Sequence, residues 1–151
     1  MKNLACGCPG SNVRTIEKPA TDNPATGKVA SELRQWPTQL HLVPPSAPWL
    51  QNAHLLIAAD CAPFAYGDFH RDFIKGKVLV NACPKLDDTS PYLDKLTEIL
   101  KHNDIQSLTV TIMEVPCCRG LAMMAKQALE ASGKDIAFKV AIIGVDGERR
   151  S

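Results

Sequence analysis

The chain has 151 residues, 45% of them hydrophobic and 22% charged, with a formal net charge of +1, the profile of one soluble domain with a real core. That balance leaves no basic excess for nucleic acid, and no apolar run nears the ~18 residues of a membrane span. MKNLACGCPG contains no apolar h-region, which argues against secretion, and the six cysteines fall below the density of a disulfide-stapled domain. The thiols are therefore expected in a reducing cytoplasm, where metal binding or catalysis is commoner than bridging.

Residues 1–35 read as an extended arm that begins with the hook CGCPGS and continues through the aperiodic, Pro- and Thr-rich stretch 9–30. Residues 36–151 read as an α/β domain. QLHLV (39–43) is a short strand candidate closed by Pro44 and Pro45, and Trp36 and Trp49 are expected to pack this Pro-rich stretch over the sheet. HLLIAAD (54–60) is a continuous apolar run, as for a strand buried on both faces. PFAYGDFHRDFI (63–74) reads as a short helix with Pro63 in its first turn, ended by Gly76. KVLVNA (77–82) is a second buried strand. SPYLDKLTEILKHN (90–103) is an amphipathic helix with Leu93, Leu96, Ile99 and Leu100 on one face, Thr89 or Ser90 as its cap and Pro91 at its first position. SLTVTIME (107–114) is a third strand, RGLAMMAKQALEAS (119–132) a helix ended by Gly133, and FKVAIIGV (138–145) a fourth strand. This alternation predicts a mostly parallel sheet of four to five strands with helices on both faces.

Four cysteines then fall into one pattern. Cys61 follows the first apolar strand, Cys83 the second, and Cys117 and Cys118 the third. In a parallel sheet those carboxyl ends share one edge, where open α/β folds bind ligands. One buried cysteine is ordinarily a small hydrophobe; four at one edge predict a convergent thiolate site. An adjacent pair such as Cys117 and Cys118 is a poor disulfide, since its Cα atoms stand ~3.8 Å apart. Pro63, Pro84 and Pro116 stiffen the three loops, and helix N-termini beside the thiols are expected to lower their pKa values. Tetrathiolate sites suit zinc or iron–sulfur, and the tight Cys-x2–4-Cys hooks of structural zinc are missing. Scattered ligands with an adjacent pair suit a larger cluster, because neighbouring thiolates can bind different corners of it. Cys6 and Cys8 exceed the four ligands of one cubane. They are expected to fold onto the same edge, to ligate metal or to cap the site, and a larger six-thiolate cluster is a further arrangement.

His41, His54, His70 and His102 are isolated in sequence, and His70 reads as a solvated helix position. PKLDD places Lys85, Asp87 and Asp88 beside Cys83, as helix-capping residues or as groups tuning the site. No G-x-G-x-x-G or P-loop pattern occurs.

CGCPGS, QWPTQLHLVPPSAPW, LLIAADCAPFAYGDFHRDF, GKVLVNACPKLDD and MEVPCCRGL together resemble the shared segments of 4Fe-4S cluster-binding, ferredoxin-domain-associated proteins of anaerobic bacteria and archaea. The resemblance runs from Cys6 to about Gly147. Many such proteins carry an N-terminal two-cluster ferredoxin module ahead of the CGCPGS segment, and this sequence has none. The resemblance implies a [4Fe-4S] cofactor, one-electron transfer in an anaerobe's cytoplasm, and a redox partner such as a ferredoxin or oxidoreductase, with a homodimer left open. A weaker likeness, architectural only, is to the cluster-bearing small subunits of complex I and NiFe hydrogenases. Two other functions fit the residues: a cluster- or thiol-dependent redox or sulfur-transfer enzyme acting on a small molecule, and a zinc-stabilised interaction module.

Overall fold

A computed structural model describes residues 27–151. Four strands form one sheet: β1 (His54–Ala59), β2 (Val78–Ala82), β3 (Ser107–Met113) and β4 (Ala137–Ile143), ordered β2-β1-β3-β4 and parallel throughout. Three α-helices accompany them: α1 (Ala62–Ala65), α2 (Tyr92–His102) and α3 (Arg119–Ser132). The expected α/β fold is therefore the observed one. Among the described residues no helix is long and apolar enough to cross a membrane.

β1 sits at the centre and explains its own composition. Leu55, Leu56, Ile57 and Ala58 are all fully buried, which requires cover on both faces of the sheet. The chain steps from β1 outward to β2, then back across β1 to β3 and on to β4. Right-handed crossovers place the β1–β2 connection on one face and α2 and α3 on the other, and α2 and α3 pack side by side. Leu96, Ile99 and Leu100 of α2 and Leu121, Ala125 and Ala128 of α3 supply the buried stripes. Gly133 ends α3 in the left-handed region (φ 72°), where a side chain would be strained.

Several expectations need correction. The helix predicted over 63–74 is two pieces, α1 and a π-helical turn at His70–Ile74. Tyr66 turns extended (φ −100°, ψ 116°) ahead of Gly67, and Phe69 and Phe73 then pack into the core. QLHLV makes a single parallel bridge, Gln39 to Asn81, before the amides of Leu42 and Val43 turn back onto the Gln39 carbonyl. On α2 the residue that completes the apolar stripe is Tyr92, fully buried, whereas Leu93 is exposed. Pro91 occupies the cap position of α2 without a side-chain cap. The fourth strand is Ala137–Ile143, shorter at its carboxyl end than the apolar run suggested. Trp49 packs against the core, but Trp36 is exposed.

Both sheet edges are partly covered. Along β2, the Asn81 amide donates to the Thr38 carbonyl (2.9 Å), the Leu40 amide to the Asn81 carbonyl (3.0 Å), and Gln35 Nε2 to the Leu79 carbonyl (2.6 Å). Along β4, Arg149 bridges Ile143 antiparallel and the Arg150 amide donates to the Ile142 carbonyl (2.8 Å).

The Ile57→Ala variant should lose about 2–5 kcal/mol in urea unfolding, the range for emptying a closed core site. Val29→Ala, at a residue 79% exposed, should shift stability by no more than about 0.5 kcal/mol.

Candidate functional site

Each thiol loop starts where a strand runs out. The Asp60 amide still donates to the Ala82 carbonyl of β2 (3.1 Å), and Asp60 Oδ1 accepts from Asn81 Nδ2 (2.7 Å). Asp60 thus fixes the exit of β1, and the exposed Cys61 follows as the residue that leads into α1. Cys83 follows β2 in a closed turn. Its carbonyl accepts from the Asp87 amide (2.9 Å), and its own amide donates to Asp87 Oδ2 (3.0 Å). The same Asp87 oxygen accepts from the Tyr92 hydroxyl. Because Tyr92 is buried at the start of α2, the Cys83 loop is anchored to the helix layer. The His41 ring lies against Tyr92, centroids 4.5 Å apart. After β3, Pro116–Cys118 form a 3-10 turn in which the Cys118 amide donates to the Val115 carbonyl (3.1 Å), and α3 starts at Arg119. A β-carbon on Gly120 would stand 3.9 Å from Pro84 Cβ, so the first turn of α3 lies beside the Cys83 loop even though β1 separates β2 from β3.

Cys61, Cys83, Cys117 and Cys118 all stand just past the carboxyl ends of parallel strands, and Cys61 is near enough to Cys83, Cys117 and Cys118 for their charges to interact. The Cys61 thiol is raised first by burial and then by the charges of Cys83, Asp60 and Cys117. Burial pushes the Cys118 thiol up to about 11; a backbone hydrogen bond at Met113 opposes this, and the neighbouring Cys117 and Cys61 add to it. The helix N-termini were expected to lower these pKa values, and for Cys61 and Cys118 the shift is upward instead. α1 is only four residues long, and desolvation with thiolate–thiolate repulsion outweighs a local dipole. Two thiols that resist ionisation, Cys61 and Cys118, are a good receptor for compensating positive charge.

Among the described residues no three His, Cys, Asp or Glu side chains are arranged to hold a single metal ion. Cys6 and Cys8 lie outside the described residues. His70 is away from chemistry, its Nδ1 accepting the Glu32 amide (3.1 Å). Asp88 serves the chain turn, accepting from the Ser90 amide (3.1 Å) and hydroxyl. Asp87 alone of the PKLDD acids bonds to a cysteine residue. Asp60 and Tyr92 were not picked out by sequence reasoning. The available signal was Asn81, an amide inside an otherwise apolar strand, which needs a polar partner close by.

In comparison with known proteins, the model of a family described as Rossmann-like domain matches residues 47–149. An uncharacterized protein of Archaeoglobus fulgidus is 36% identical over 116 residues, 77% of this chain and 81% of the relative. No solved structure matches. The first βα turn, which carries the glycine-rich phosphate loop in dinucleotide-binding folds, here reads Asp60-Cys61-Ala62-Pro63, with a thiol in place of the glycines.

Two measurements check this geometry. Burial by itself raises Asp87, but the hydrogen bonds from Tyr92, the Cys83 amide and Gln39 outweigh it and leave the carboxyl lowered. Its stabilisation is therefore full above the ordinary carboxylate range and is lost as pH falls through its folded-state value. Urea unfolding of metal-free protein between about pH 7 and pH 2 should show Asp87→Asn less stable at neutral pH and less sensitive to acid than the parent. In the same protein, iodoacetamide should label the exposed Cys61 before Cys118, and Cys118 labelling should accelerate as pH rises toward about 11.

Proposed function

Because the chain belongs to the Rossmann-like domain family, a fold whose ligands sit at the carboxyl ends of the strands, we propose that Cys61, Cys83, Cys117 and Cys118 hold an iron–sulfur cluster of the [4Fe-4S] type and that the protein carries single electrons. The observation behind this reading is the gathering of four thiols from three strand ends at one edge. Cys61 and the Cys117–Cys118 pair leave β1 and β3, the two strands between which the sheet order reverses, so they flank the crevice of the fold. Soft thiolates are the ligands that the irons of such a cluster take.

The protein's part is to position and to bury. The Asp87–Tyr92 pair holds the Cys83 turn, Asp60 fixes the approach to Cys61, and the 3-10 turn presents Cys117 and Cys118 in succession. The cluster, when bound, supplies reversible one-electron chemistry. Burial of Cys118 limits solvent at the site, while the exposed Cys61 marks the side from which a redox partner approaches. That partner is a ferredoxin or oxidoreductase in the cytoplasm of an anaerobe. In this reading Cys6 and Cys8 cap the site or add ligands to it.

Protein prepared without oxygen should be brown, with about four irons and about four acid-labile sulfides per chain, the stoichiometry of a cubane. Cys83→Ser should lose or convert the cluster, since a hydroxyl replaces a thiolate poorly. Colourless protein with about one zinc per chain would overturn the reading in favour of a zinc-stabilised module. If Cys6→Ser with Cys8→Ser lowers the iron content, the hook supplies ligands; if only oxygen sensitivity rises, it acts as a cap.

A further inference from the structure

The opposite edge of the sheet carries a second set of side chains that the thiol site does not use. His54 opens β1, Ser107 opens β3, and Ala137 opens β4, all in one register row, with Thr109 paired to Lys139 one row further in. Lys77 immediately precedes β2 beside His54. Residues paired in register on parallel strands, and those two apart along a strand, share a face. His54, Ser107, Thr109 and Lys139 therefore point the same way. Together with Lys77 they line a cavity of about 250 Å³.

Three features set this cavity apart from ordinary surface. β3 is an interior strand of a parallel sheet, a place that ordinarily takes apolar side chains on both faces, yet its residues on this face are Ser107, Thr109 and Thr111. The first two remain half-exposed, and the third is fully buried with no hydrogen-bond partner for its hydroxyl. His54 Nδ1 lies 2.7 Å from Ser107 Oγ, which orients the ring and leaves Nε2 for another partner. Finally, the cavity brings two ammonium groups and an imidazole together without a carboxylate in its lining. Among the described residues neither Lys77 nor Lys139 is paired with an acid.

We propose that this amino-edge cavity is an anion site that takes a phosphate group, either free phosphate or a small phosphate monoester. Lys77 and Lys139 approach from opposite sides of the cavity and neutralise a dianion. His54, Ser107 and Thr109 supply hydrogen bonds from the floor. The volume has room for a phosphate with a short carbon body and is below that of most drug-sized sites. β1 to β3 are five to seven residues long, so at about 3.3 Å per residue the site is roughly 17–23 Å from the thiols. Its occupancy is independent of what the cysteines hold.

The test uses the full chain at constant pH and follows the His54 ring by heteronuclear NMR, assigned with His54→Gln. Inorganic phosphate and glycerol 3-phosphate are titrated separately, each against potassium chloride of equal ionic strength. A saturable His54 shift with phosphate, absent with chloride, is the expected result. K77A/K139A should weaken it at least about tenfold, the loss that follows removal of charge-assisted contacts. Tighter binding of glycerol 3-phosphate identifies a monoester as the ligand, and equal binding identifies the phosphate group alone. A shift that never saturates, that chloride reproduces, or that K77A/K139A leaves unchanged overturns the proposal. Both lysines reach solvent, so the double variant should unfold at the parent's urea midpoint, which separates loss of binding from loss of fold.

Discussion

The parallel pairing of β1 with both β2 and β3 is the constraint on which the molecule depends. In the order β2-β1-β3-β4 the chain leaves β1 toward β2 on one side and then returns across it to β3 on the other, so the crossovers run in opposite directions. The right-handed rule then sends the intervening segments to opposite faces. Cover on both faces is what makes Leu55 through Ala58 tolerable as an unbroken apolar run. The same reversal opens the crevice at the carboxyl end of β1, because the loops leaving β1 and β3 diverge there. The shared placement of the thiol loops at one edge is a consequence of strand order and parallel pairing.

Polar anchoring sharpens what topology places. Asp87 accepts hydrogen bonds from a backbone amide of the Cys83 loop and from the hydroxyl of a buried tyrosine, so one carboxylate joins the loop to the helix layer. Lys95 adds a second tie: its Nζ donates to the carbonyls of Leu40 and His41, both at 2.9 Å, which holds the segment ahead of β1 against α2. Burial penalises the Lys95 charge and lowers its pKa, and the two carbonyls offset that penalty. Loops fixed in this way have little freedom to reorganise when a charged group arrives, which is the condition for a site of set geometry.

Much of this was legible in the sequence, and for identifiable reasons. The apolar runs at 54–60, 77–82 and 107–114 are strong because strands buried on both faces leave no alternation to misread. α3 matches its predicted span, 119–132, since Gly133 is an unambiguous stop. The misreadings occur where local signals compete. Residues 63–74 have helical spacing, but Phe69 and Phe73 are drawn into the core and the chain breaks at Gly67 to let them in. Tyr92 and Leu93 are adjacent and both apolar, so periodicity could not say which faced inward; the Asp87 carboxylate, a partner for a buried hydroxyl, decides for tyrosine. The direction of the thiol pKa shifts depends on burial and mutual distance, quantities that spacing in sequence does not contain.

The partly covered sheet edges restrict how this protein meets others. Exposed edge strands invite a neighbour to add a strand, the route to both peptide capture and aggregation. Here Thr38–Leu40 shields the outer side of β2, and Arg149–Arg150 shields that of β4. A visiting chain finds no lateral ladder to join at these positions. A domain blunted at these positions, with chemically distinct ends, behaves as a polar object: whatever docks at a strand end meets it in one orientation from the first contact.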